Sequence, residues 1–115
     1  SYAPEFEDLL KIAINIAGSK ERVFVLSIPD YGYTPFGQST QAKISAELDA
    51  YNAVNKAISE KLGVMYVNIT DISRLGLQQP ELVASDQLHP SGKMYEYWVN
   101  RIVSQEGIQY IKSTV

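Results

Sequence analysis

No cysteine occurs among the 115 residues, which removes disulfides, thiolate metal sites and a cysteine nucleophile together. Histidine is nearly as scarce. His89 stands alone, so acid–base chemistry near neutral pH has one obvious candidate. One histidine among scattered carboxylates gives no metal-ligand spacing, and no metal is expected. Basic residues are in slight deficit, 10 Lys+Arg against 13 Asp+Glu, for a net charge of −3. Without a basic block the chain lacks the electrostatic footprint of phosphate-backbone binding, so nucleic acid is not an expected partner. No apolar run approaches the ~18 residues needed to span a bilayer. The opening Ser-Tyr-Ala-Pro-Glu-Phe-Glu-Asp is acidic, which argues against a secretory signal or transit peptide there. An initial Met is also lacking, and the expectation is a processed, excised or truncated chain.

What is present is ordinary for a globular domain: 45% hydrophobic and 20% charged residues. A chain this long buries roughly 65% of its unfolded surface as one domain. Residues 4–17 read as a helix, with Pro4 at its start, Glu5, Glu7 and Asp8 in the first turn, and Gly18 as its stop. Its apolar positions are Phe6, Leu9, Leu10, Ala13, Ile16 and Ala17. The apolar run 23–28, closed by Pro29, reads as a strand buried on both faces. Ser39 offers an N-cap for a long helix to Leu62, striped by Ile44, Leu48, Tyr51, Val54, Ile58 and Leu62. A second buried strand follows at 64–69, completing a strand–helix–strand unit.

Residues 70–89 show little periodicity beyond a possible helical turn at 80–83, and so long an irregular stretch is usually functional or disordered. Ser91 can cap a last helix carrying Met94, Trp98, Ile102 and Val103, while residues 107–115 fit either a short strand or a frayed end. Two strands covered on both faces need neighbours, because a two-stranded parallel sheet is not expected to stand alone. The missing strands are expected before Ser1, or from another copy that completes the sheet.

The run Ser-Asp-Gln-Leu-His-Pro-Ser-Gly at 85–92 carries the chemistry. In open α/β folds ligands sit beyond the carboxyl ends of the strands, so a loop after the last strand is well placed. Three residues apart in a tight loop, Asp86 can accept a hydrogen bond from His89 Nδ1–H, fixing the tautomer and leaving Nε2 free to take a proton. Pro90 holds His89 extended. The plainer reading makes Asp86 a turn cap and His89 an exposed loop residue. Asp30 and Asp71 each follow a strand, and turn chemistry accounts for both. Asp71 is the substitute acid should Asp86 turn away from His89. Tyr31, Tyr33 and Phe36 either wall an apolar pocket or pack under a loop. Met94, Tyr95, Tyr97 and Trp98 read as core and flank.

The block Asp86-x-x-His89-Pro90 resembles the last motif of the SGNH (GDSL) esterases and lipases. The segment Ser-Ile-Pro-Asp-Tyr-Gly-Tyr-Thr-Pro-Phe-Gly at 27–37 is similar to the penultimate strand and loop of bacterial members. The resemblance runs over the whole chain, as the C-terminal half of that family's domain. It implies an α/β, flavodoxin-like three-layer α/β/α sandwich with a parallel sheet, present here as an incomplete C-terminal portion spanning 1–115. In many members a Gly follows the Asp, where this chain has Gln87. The family's Gly-Asp-Ser nucleophile block and its oxyanion donors have no counterpart here. The resemblance therefore implies a serine esterase acting on a small ester substrate without a cofactor. His89 and Asp86 come from this chain, its nucleophile lies elsewhere, and the isolated chain is expected to be inactive. A rival of another class is a non-enzymatic doubly wound binding or regulatory module, with Asp30 as its functional carboxylate and His89 incidental.

Overall fold

Apolar stripes at helical spacing and two short β-branched runs dictate where the backbone can hide. The computed structural model describes residues 1–114, with side chains as far as Gln105. Helix α1 runs Tyr2–Ala17 and stops where Gly18 takes φ 91°, donating its N–H to the Ile14 carbonyl. Strand β1 is Phe24–Leu26, helix α2 is Gln41–Lys61 and strand β2 is Met65–Val67. A short helix α3 follows at Thr70–Ser73, and α4 closes the fold at Gly92–Thr114. Strands β1 and β2 pair in parallel, with Phe24 opposite Met65, Val25 opposite Tyr66 and Leu26 opposite Val67.

Both strands are shorter than the apolar runs that encode them. Beyond Leu26 the ladder has one further bond, from Ser27 N–H to the Val67 carbonyl at 2.9 Å. Side chains then take over. Ser27 Oγ accepts from Ile69 N–H at 2.7 Å and Thr70 N–H at 3.0 Å. The Asn52 carboxamide oxygen accepts from Ile28 N–H at 2.8 Å. Polar side chains that satisfy the backbone end a strand without leaving orphaned groups.

The two faces of the sheet bury different residues, as the period of two requires. Val25 of β1, flanked by Val23, packs with Val64, Leu10 of α1 and Ile58 of α2. On the opposite face Leu26, Met65 and Val67 meet Ile69, Ile72, Leu82, Met94 and Trp98. Helices thus cover both faces of a parallel sheet. With two strands, it is a mixed α/β arrangement and not a full three-layer sandwich. Among the described residues no helix is long and apolar enough to cross a membrane.

Several local expectations need correction. Ser39 is not the cap of α2; it lies inside a 3-10 turn, Gln38–Thr40, and the helix starts after it. In α1 the packed side is Phe6, Leu10 and Ile14, whereas Leu9, Ile12 and Ile16 face outward. A helix this apolar has more than one candidate face, and only the neighbour decides which is buried. Helix α4 carries its backbone through to Thr114, so the tail is not a strand, and Val115 lies outside the described residues. Ser91 does cap α4, its Oγ accepting from Met94 N–H at 3.3 Å.

Candidate functional site

The segment after α3 folds back on itself before α4 begins. Its 3-10 turn Pro80–Leu82 leads into an antiparallel bridge between Val83 and Pro90. Ala84 N–H donates to the His89 carbonyl at 2.8 Å, and Ser91 N–H donates to the Leu82 carbonyl at 2.9 Å. Ser91 Oγ also reaches the Glu81 carbonyl at 2.7 Å. These bonds make a small closed loop with Asp86 and Gln87 at its tip. Turning the corner puts Gln87 at φ 63°, in the left-handed region where glycine carries no steric penalty.

The loop brings Asp86 and His89 together. Asp86 Oδ1 accepts from both Leu88 N–H and His89 N–H, each at 3.0 Å. Oδ2 lies 2.5 Å from His89 Nδ1. The His89 side-chain hydrogen bond, joined by the His89 and Leu88 amides, lowers the Asp86 pKa from 3.8 to about 2. An ionised carboxylate only accepts, so Nδ1 must be the donor. In the neutral imidazole that assigns the lone pair to Nε2. Both side chains remain open to solvent, at 70% exposure for His89 and 49% for Asp86. No Ser or Thr hydroxyl bonds His89 Nε2 among the described residues.

Beside the imidazole lies a cleft of about 420 Å³, walled by Ile28, Pro29, Phe36, Leu88 and Met94 with Tyr31 at its edge. The loop after β1 forms one wall, and it is tied to the Asp86–His89 loop by Phe36 N–H donating to the Gln87 carbonyl at 3.2 Å. Gly37 allows this path, since a Cβ there would sit 2.1 Å from the Tyr31 carbonyl oxygen.

Asp30 anchors that wall from below. It accepts from Gly32 N–H at 2.8 Å, the turn chemistry its position after Pro29 suggests. It is also fully buried and accepts from Ser45 Oγ at 2.6 Å and Arg74 Nε at 3.0 Å. Arg74 continues to Asp49 at 2.6 Å and lies over the Tyr33 ring. This cluster, buried at Asp30 and open to solvent at Asp49, joins α2, α3 and the wall loop. Local spacing held no sign of it, because Arg74 is 44 residues from Asp30. Asp71 pairs with Arg101 of α4 rather than approaching His89. No three His, Asp or Glu side chains converge to hold a metal among the described residues.

Comparison with known proteins finds no matching family model, no matching curated protein and no matching solved structure.

Proposed function

We propose that this chain supplies the base and its orienting acid to a serine esterase whose nucleophile and oxyanion donors lie outside residues 1–115. The observation that carries the reading is the Asp86–His89 pair, with Nδ1 engaged and Nε2 free at the rim of an apolar cleft. In the first step His89 Nε2 takes the proton of a serine hydroxyl as that oxygen attacks the ester carbonyl. The tetrahedral intermediate collapses to an acyl-serine, and His89 returns the proton to the departing alkoxide. Water repeats the sequence, releasing the acid and restoring the serine. Asp86 holds the imidazole in register and stabilises its charged form.

Three features support a larger flavodoxin-like three-layer sandwich around this portion. Neither strand has a second strand neighbour among the described residues. Leu9, Ile12 and Ile16 of α1 face solvent, as do Tyr95, Val99 and Val103 of α4. The radius of gyration is 15.5 Å, against about 13 Å for a compact domain of this length.

The reading is tested in the protein that includes the nucleophile. There His89→Ala lowers kcat/KM for a p-nitrophenyl ester at least about 10³-fold, and Asp86→Asn lowers it about 10²- to 10⁴-fold. A fluorophosphonate labels a serine outside residues 1–115 and leaves the chain alone unlabelled. Unchanged turnover in His89→Ala, or an adduct on a serine of this chain, overturns it.

A further inference from the structure

The walls of the cleft are apolar, but the decisive feature is what its polar residues are doing. Five of them line it, and Asp30, Thr34 and Ser73 are already committed. The Asp30 carboxylate is held by Gly32, Ser45 and Arg74. Thr34 Oγ1 donates to the Tyr31 carbonyl at 2.7 Å and accepts from Gly37 N–H at 3.1 Å. Ser73 Oγ donates to the Thr70 carbonyl at 2.5 Å and accepts from Asp30 N–H at 2.8 Å. Some backbone groups along the walls are occupied as well. Ile28 N–H is bonded to Asn52, the Leu82 carbonyl to Ser91, and Val83 N–H to the Pro80 carbonyl. Among the described residues, apart from Tyr31 at the exposed edge, His89 is the one lining side chain with a polar atom, Nε2, that has no partner, and it sits at the rim.

From this we infer that the cleft takes the acyl chain of a medium-length aliphatic ester and discriminates against acetylated sugars. The inference rests on the hydrolase reading for its chemistry, but its geometry stands separately. A sugar hydroxyl buried deeper than the rim meets hydroxyls whose hydrogens are already donated, and each one left without a partner loses roughly tenfold in affinity. An aliphatic chain gains about fourfold for each methylene buried. At roughly 30 Å³ for each small group at liquid density, an eight-carbon chain occupies about 240 Å³. That fits within the 420 Å³ available. The carbonyl then lies at the rim, next to Nε2. Phe36, at 67% exposure, forms the outer wall without belonging to the core.

Binding to the chain itself tests this without any turnover. Octanoate, acetate and N-acetylglucosamine are titrated into ¹⁵N-labelled protein. Octanoate is expected to move the amide resonances of Ile28, Leu88 and Met94 saturably, with affinity at least tenfold above acetate. N-acetylglucosamine is expected to leave them in place. Phe36→Ala, which leaves the core untouched, weakens octanoate about three- to tenfold. Equal affinity for octanoate and acetate, or the same shifts with N-acetylglucosamine, overturns the inference. If octanoate binds but His89→Ala leaves turnover unchanged in the larger protein, the acyl cleft stands and the hydrolase reading falls. An esterase that needs His89 yet prefers acetyl over octanoyl esters keeps the hydrolase reading and removes the acyl cleft.

Discussion

Asp86 divides its two oxygens between separate tasks. One fastens the backbone of the loop through two amides, and the other orients the imidazole. Because these bonds favour the ionised form, the carboxyl is held to a pKa of about 2 from its usual 3.8. A depressed acid stabilises the folded loop above its unfolded pKa, and that contribution is lost as pH falls through the folded value. The loop is therefore expected to stay intact from neutral pH to about 4 and to loosen near 2. The ¹³C shift of the Asp86 carboxyl followed against pH checks this. A midpoint near 3.8 would show that the two amides and the imidazole are not engaged in solution. The pair could be anticipated because three residues in a tight loop let the carboxylate reach the imidazole, although the same spacing equally fits the turn cap that Asp86 also makes. The Asp30–Arg74 contact was not, since nothing local marks which distant guanidinium a buried carboxylate will meet. Gln87 hid its left-handed backbone for a related reason: glycine advertises that conformation and glutamine does not.

Ser91 joins the site loop to the helix behind it. Its hydroxyl bonds the Glu81 carbonyl and accepts from Met94 N–H, so one side chain closes the loop and begins α4. Ser91→Ala is expected to cost about 1 kcal/mol of stability. Urea unfolding measures it as a lower midpoint at unchanged slope. No change in midpoint would mean that the cap is redundant. The long helices were readable from periodicity and from stops such as Gly18, and both strands from their β-branched runs, but the single turn of α3 fell in a stretch read as irregular. Strand lengths were not, because the Ser27 and Asn52 side chains end the ladder early and hydropathy does not register hydrogen bonding. Ser39 shows the converse error. A good capping residue was present, but the chain had already begun to coil in a 3-10 turn around it.

At the scale of the whole molecule, α1 and α4 each bury one stripe and expose another. Outward stripes of this kind promote association. The chain alone is expected to self-associate with rising concentration, and Ile12→Glu combined with Ile16→Lys to shift it towards monomer. Sedimentation velocity across a dilution series decides, and a monomer at every concentration refutes the idea. The unsatisfied sheet could be anticipated from the inventory of elements, whereas the outward faces could not, because hydrophobic spacing alone does not say which side a neighbour occupies. The link from Phe36 N–H to the Gln87 carbonyl has a wider consequence. It ties together the loops that leave β1 and α3, so opening either one alone breaks that bond. The Phe36 amide consequently exchanges with solvent only when the histidine loop parts from its neighbour, and this backbone proton serves as a natural clock for the opening of the cleft.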